Sequence, residues 1–275
     1  MRFRLATWNI NSVRLRLDLV ERFVRAHQPD ILCLQEIKCV DGSFPDLPVR
    51  ALGFSHVVIA GQKGYHGVAI LSRLPFSSVM RRDICGRGHA RHLSVAIDAG
   101  TAAPGRSPVL HNVYVPAGGD VPDPALNPKF RHKLDFLEAM HAWFRGMRGK
   151  RTNRMILVGD LNVAPLPTDV WSHKQLLRVV SHTPAEVERF ERVRAAHDWV
   201  DVMRRYVPPE ETLYTWWSYR NRDWRASNRG RRLDHIWTTP ALDGTATSMR
   251  VLDEVRDWPH TSDHVPVIAD FVIDQ

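Results

Sequence analysis

The chain is poor in cysteine, short of acid relative to base, and without long apolar runs. Three cysteines occur among 275 residues, Cys33, Cys39 and Cys85. An odd set without metal-ligand spacing argues against a disulfide framework and a structural zinc site. Cys33 and Cys39 sit in or beside an apolar stretch, where a free thiol packs as a small hydrophobe. A reducing, cytoplasmic setting is the expectation. No apolar run approaches membrane-spanning length, and the opening Met1-Arg2-Phe3-Arg4 turns polar too soon for a signal peptide. No short-period repeat and no low-complexity linker divides the sequence, so residues 1–275 are expected to form a single domain.

The shortage of acid is the informative one. Thirty-eight Lys and Arg against 30 Asp and Glu leave a net charge of +8, with an isoelectric point near 9.8. Such a balance points to a polyanionic partner, most simply nucleic acid. No amphipathic basic helix stands out to favour a membrane surface instead. The hydrophobic share of 44% is enough for a large core at this length.

Alternation predicts a first strand over residues 3–10, followed by Asn11-Ser12. Val13, Leu17, Val20, Phe23 and Val24 recur at helical spacing, so a helix is predicted over residues 12–27 with Ser12 as its N-cap. Ile31-Leu32-Cys33-Leu34 then reads as a buried strand. Strand, helix, strand in about 35 residues is a crossover unit of an α/β or mixed sheet. Further strands are predicted at 57–60, 67–72, 93–99, 109–115, 212–217, 233–237 and 265–271, and helices at 128–148 and 184–196.

The stretch Ile156-Leu157-Val158-Gly159-Asp160-Leu161-Asn162-Val163-Ala164-Pro165 reads as a buried strand closed by polar and turn-forming residues. Asp160 and Asn162, two apart, are expected to project together. The same residue types also suit a turn. Other strand exits repeat the pattern: Asn9, Glu36, Tyr114, Asp234, and Asp263 with His264. Carboxylates and carboxamides are the ligand set of Mg²⁺ or Mn²⁺. A histidine held by a carboxylate can donate to a phosphoryl oxygen, a role that suits His264 with Asp234 as its partner. Six arginines lie between Arg220 and Arg232, near Trp216, Trp217 and Trp224, with Asp223 the one acid among them. Guanidinium groups pair with phosphate and aromatic rings stack on bases.

These motifs resemble the exonuclease III/apurinic-apyrimidinic endonuclease family of the endonuclease/exonuclease/phosphatase superfamily. The resemblance runs through Thr7-Trp8-Asn9-Ile10-Asn11-Ser12, Leu34-Gln35-Glu36-Ile37-Lys38, Gln62-Lys63-Gly64-Tyr65-His66-Gly67, Asn112-Val113-Tyr114-Val115-Pro116, Gly159-Asp160-Leu161-Asn162, Tyr214-Thr215-Trp216-Trp217, Arg232-Leu233-Asp234 and Ser262-Asp263-His264. It implies a four-layered α/β sandwich of two mixed β-sheets flanked by helices. It also implies a monomeric, Mg²⁺-dependent hydrolase, with Mn²⁺ as a substitute, acting on double-stranded DNA at abasic sites and damaged 3′ ends. By the same resemblance Asn9, Glu36 and Asp263 are the main metal-site residues, joined by Asp160, Asn162 and His264. Asp160 is the base that activates water or a second metal's ligand, with Asn162 beside it. Tyr114 and His264 meet the scissile phosphate, and Asp234 holds His264. Arg91, Trp216, Arg220, Arg222, Arg225, Arg229 and Leu233 are the expected DNA contacts. Two positions depart from the family pattern: Ala117 replaces an amide side chain, and Arg231 stands where an apolar residue often lines a sugar pocket. The alternatives are a superfamily phosphodiesterase for a lipid phosphoester and a DNA-binding module without catalysis.

Overall fold

Strands that are apolar on both faces must be covered on both sides, which dictates a layered arrangement. The structure, a computed structural model, describes residues 1–98, 107–147, 149, 152–221 and 223–274. In chain order its strands are β1 (Arg2–Asn9), β2 (Ile31–Gln35), β3 (His56–Ala60), β4 (Val68–Ser72), β5 (Phe76–Arg81), β6 (His92–Ile97) and β7 (Val109–Val113). These are followed by β8 (Met155–Asp160), β9 (Val200–Asp201), β10 (Trp216–Trp217), β11 (Gly230–Arg231), β12 (Asp234–Thr238), β13 (Ala246–Val251) and β14 (Val267–Val272). Two six-stranded sheets form, in the orders β13-β14-β1-β2-β4-β3 and β5-β6-β7-β8-β12-β9; β10 and β11 make a small ribbon. Each large sheet is mixed, with one parallel pair, β1 with β2 and β7 with β8, among antiparallel neighbours.

Between the sheets, Leu5, Ile31, Cys33 and Ile70 pack with Val95, Leu110, Ile156 and Ile236. The alternate residues face outward. Ala6, Leu32 and Leu34 lie with Val20, Phe23 and Val24 of the helix Leu17–His27. Leu157 and Trp237 lie with Phe136, Leu137, Met140 and Phe190 of the helices Pro128–Gly146 and Pro184–Ala196. The result is the expected sandwich of four layers. Each buried Leu, Ile or Phe contributes roughly 1.5–3 kcal/mol, so these three apolar clusters set the architecture.

One buried ion pair joins the two helices of the second outer layer. Lys133 pairs with Glu186, both side chains wholly inaccessible. Lys133 also donates to the carbonyls of Ala117 at 3.3 Å and Asn162 at 2.7 Å. Glu186 closes a capping box on Thr183 and accepts from the Ser181 amide. Three loops beside the second sheet are thereby fixed to its helices.

Several expected boundaries shift. The first helix begins at Leu17 rather than residue 12, with Arg16 as N-cap. Ser12 has a positive φ of 88°, and its amide bonds the Glu36 carbonyl at 2.7 Å, which fixes this segment as a loop against the exit of β2. Only Trp216–Trp217 of the strand expected over 212–217 is extended and paired. The helix expected to reach 148 ends at Gly146, and the expected strand end at residue 99 lies outside the described residues. Strands β5 and β13 had no apolar alternation to reveal them, because both are sheet edges with mostly exposed or half-buried side chains.

Gly159 is required where β7 and β8 run side by side. Its φ is +136°, and a Cβ there would collide with the Val113 carbonyl oxygen. Gly159→Ala is therefore expected to cost about 1–3 kcal/mol, read as a lower urea midpoint with an unchanged slope. An unchanged midpoint would show that this contact does not constrain the strand.

Candidate active site

The exits of β1, β2, β7 and β8 bring their polar residues to one place. Asn9 at the end of β1 donates through Nδ2 to Glu36 Oε1 at 3.0 Å and to Asp160 Oδ2 at 2.9 Å. Tyr114, just past β7, donates its hydroxyl to the same Glu36 oxygen at 2.7 Å. Lys38 lies 2.8 Å from the other oxygen, Oε2. Burial pushes the Glu36 carboxyl up, but Lys38 and the hydrogen bonds from Asn9 and Tyr114 outweigh it and hold the group at about 2. Burial pushes the Tyr114 hydroxyl well above its ordinary range, helped by Glu36 and Asp160, so it stays a proton donor.

Asp160 ends β8. Its Oδ1 accepts from the Asn162 amide at 3.0 Å and its Oδ2 from the Asn162 side chain at 3.0 Å. Asn162 adopts a positive φ of 54° and also donates to the Val115 carbonyl at 2.9 Å. The strand reading holds, since the ladder stops at Asp160; the positive φ of Asn162 and the bond from its amide to Asp160 Oδ1 bring its side chain back beside the carboxylate.

Across the antiparallel pairing of β8 with β12, Asp234 lies directly opposite Asp160. His264 stands between their carboxyls, with Nδ1 2.8 Å from Asp234 Oδ2 and Nε2 3.6 Å from Asp160 Oδ2. Thr215 donates to the same Asp234 oxygen at 2.6 Å. Burial disfavours the imidazolium, yet Asp234 and Asp160 overcome it and raise His264 to about 10. Burial in turn lifts the Asp160 carboxyl above its ordinary value, opposed by His264 and favoured by Asp234. Among the described residues, Asp160, Asp234 and His264 are the group of acidic or imidazole ligand atoms lying within 4.8 Å of one another. Glu36 and Asp263 stand outside that group. Asp263 accepts from Trp216 Nε1 at 2.9 Å and from Asn11 at 3.4 Å.

A cleft of about 540 Å³ opens over these groups, lined by Glu36, Asp160, Asn162, Asp263 and His264 on one side. Trp171, Trp216, Leu233, Arg220, Arg229 and Arg231 line the rest. The expected DNA-contacting residues divide sharply. Arg220 and Arg229 are exposed at the cleft, and Trp216 and Leu233 form its wall. Arg225 is exposed but paired with Asp257 at 2.6 Å. Arg91 is buried, stacked on Tyr114 at 4.6 Å and bonded to the Tyr114 carbonyl and to His66. Arg222 lies outside the described residues. Arg232, counted in the basic run, is wholly buried between Asp169 and Asp201. Sequence reading missed Lys133 and Ser181, whose local pattern marks nothing, and gave no role to Thr215, although it lies within the quoted Tyr214-Thr215-Trp216-Trp217 motif; all three hold the site from behind.

A layered sandwich with buried acids and an acid-held imidazole at its strand exits defines a class of phosphoester hydrolase. The chain belongs to the Endonuclease/Exonuclease/phosphatase family, whose model matches residues 6–264. It is 29% identical over 276 residues to exodeoxyribonuclease III of Haemophilus influenzae, covering 98% of this chain and 99% of that protein. It is also similar to an AP endonuclease structure from Archaeoglobus fulgidus, with TM-score 0.87, 30% identity, and coverage of 98% of this chain and 100% of that one. A 3′ phosphatase from Neisseria bound to product DNA hairpin is similar at the same TM-score of 0.87, identity of 30% and coverage of 98% and 100%.

Since His264 is raised from 6.5 to about 10, its charge contributes stability that is complete below about pH 6.5 and lost as pH rises through 10. Imidazole NMR shifts should show His264 charged from pH 5 to 8. In Asp234→Asn the titration should move down toward the ordinary range, and an unmoved titration would contradict the pairing.

Proposed function

We propose that this chain is a metal-dependent DNA repair nuclease. Residues 1–275 act as one domain and as a monomer, in the reducing cytoplasm where its free thiols persist. The substrate is double-stranded DNA, incised at abasic sites and trimmed at 3′ ends bearing phosphate, sugar fragments or a plain nucleotide. The observation that carries this reading is the Asp234–His264 pair facing Asp160 on the floor of an arginine-lined cleft. The DNA-acting relatives support DNA over a lipid phosphoester, and no helix among the described residues is long and apolar enough to cross a membrane. The intact acid set supports catalysis over binding alone.

The donor set suits a hard divalent ion. Glu36, Asp160 and Asp263 offer carboxylate oxygens at the cleft, the buried Asn9 carries an amide oxygen that accepts from the Asn11 amide at 3.1 Å, and Asp234 Oδ1 is a buried acceptor without a partner. We assign Mg²⁺, replaceable by Mn²⁺, to Asn9, Glu36 and Asp263, with Asp160 and Asn162 adjoining. His264 belongs to this group by proximity; as a doubly protonated ring it serves better as a donor than as a ligand. When bound, the ion supplies positive charge against the phosphoryl oxygens.

The chain's own groups divide the remaining work. Asp160 accepts a proton from the attacking water, and its elevated affinity for protons makes it a stronger base than an exposed carboxylate. The His264 Nε2–H donates to a phosphoryl oxygen, while Asp234 fixes the ring and its charge. The Tyr114 hydroxyl, kept protonated by burial, is a second donor at the same phosphate. The P–O3′ bond then breaks and the 3′ oxygen leaves with a proton.

Chelation should abolish incision of an abasic duplex, and Mg²⁺ or Mn²⁺ should restore it. Asp160→Asn and His264→Ala should each lower kcat about 10²–10³-fold, as loss of a group aimed at the reacting phosphate does. Retention of most activity by either purified variant would refute the assignment.

A further inference from the structure

One wall of the cleft carries a guanidinium, that of Arg231. Arg231 lies on β11, opposite Trp216 of β10. Its guanidinium sits over the Trp216 ring, 5.2 Å from the centroid. Nη1 reaches the far wall, donating to the Val180 carbonyl and the Ser181 hydroxyl, both at 2.8 Å. Nε is buried without a partner, and Nη2 makes no hydrogen bond among the described residues. The far wall is equally constrained. Ser181 is buried, holds a positive φ of 88° that side chains rarely adopt, and is tied through its amide to Glu186. Trp216, under the guanidinium, bonds Asp263 at 2.9 Å, so the bridge stands one ring away from the acids of the floor.

We propose that the Arg231–Ser181 bridge sets substrate preference, narrowing the cleft against a bare deoxyribose and offering a guanidinium to the unesterified oxygens of a 3′-terminal phosphate. The inference rests on the nuclease reading above and names its preferred substrate. At a phosphate terminus and at an abasic site the same bond is cut. A hydroxyl from water joins phosphorus, the P–O3′ bond breaks, and the water's remaining proton ends on the 3′ oxygen. The two substrates differ in what phosphorus carries on its far side. A terminal phosphate presents unesterified, more negative oxygens, which suit an Arg with free donors. An internal abasic site presents an ester to a neutral sugar, which needs space that Arg231 occupies and gains little from the charge.

The test compares kcat/KM of the full-length protein in Mg²⁺ on three matched duplexes: a 3′-phosphate terminus, a tetrahydrofuran abasic site and a recessed 3′-hydroxyl end. The wild-type chain should favour the 3′-phosphate. Arg231→Leu should lower phosphate removal about 10–100-fold, the scale of a lost hydrogen bond to a charged group, and raise abasic incision. Arg231→Lys should keep part of the preference. Ser181→Gly, which removes one anchor of the bridge, keeps the charge and suits the positive φ, should raise abasic incision while phosphate removal stays near the wild-type rate, so the ratio shifts in the same direction without threatening the fold. An unchanged ratio in both Arg231→Leu and Ser181→Gly, or an equal loss on all three duplexes, overturns the proposal. Absence of turnover by the wild-type chain on every duplex overturns the nuclease reading itself.

Discussion

Two carboxyl groups facing each other inside a protein repel unless a cation stands between them. Asp160 and Asp234 are paired across β8 and β12 in the buried interior, and His264 supplies that cation. The surrounding structure maintains the arrangement. Thr215 anchors Asp234, Asn9 and Asn162 anchor Asp160, and Trp8 holds the His264 carbonyl through its indole at 3.0 Å. Removing the imidazole would leave two acids competing for one proton. In the proposed mechanism this electrostatic demand is also the chemistry, because a buried imidazolium beside a proton-hungry carboxylate is primed to donate and to accept.

The same rule governs the basic residues. A net charge of +8 suggests a broad positive face, but much of the run from Arg220 to Arg232 is already committed. Arg232 is enclosed by Asp169 and Asp201, Arg225 is paired on the surface with Asp257, and Arg231 is bonded to the opposite wall of the cleft. The acids that neutralise Arg225 and Arg232 come from other elements, so local charge counting overstated the freely available surface. Buried pairs such as Lys133 with Glu186 contribute less net stability than their short contacts suggest, since desolvation offsets attraction. Their effect is positional: they hold loops whose backbone shapes the cleft.

Much of the architecture was legible because its cause is local. The unbroken apolar runs Ile31-Leu32-Cys33-Leu34 and Ile156-Leu157-Val158 mark strands buried on both faces, and the helical spacing of Val20, Phe23 and Val24 marks the first helix. The edge strands β5 and β13 were not legible, because a strand with one neighbour and exposed side chains needs no apolar pattern. The start of the first helix was misplaced because Ser12 is bonded to Glu36, a residue of another element. Within the site, residue types at strand exits could be read, and so could the pairing of His264 with an acid. The inward turn of Arg91 could not.

The sequence by itself determined the strand and helix periods, the polar strand exits, the excess of base and the ordered motifs that place the chain in its family. Tertiary structure alone decided which of those groups meet. Asp160 and His264 are 104 residues apart in the chain yet lie 3.6 Å apart in space. It also decided which arginines remain free and which wall of the cleft carries a charge. The physical reason is that periodicity and turn chemistry act between neighbours in the chain. Desolvation and Coulomb attraction act between neighbours in space, and only folding makes those.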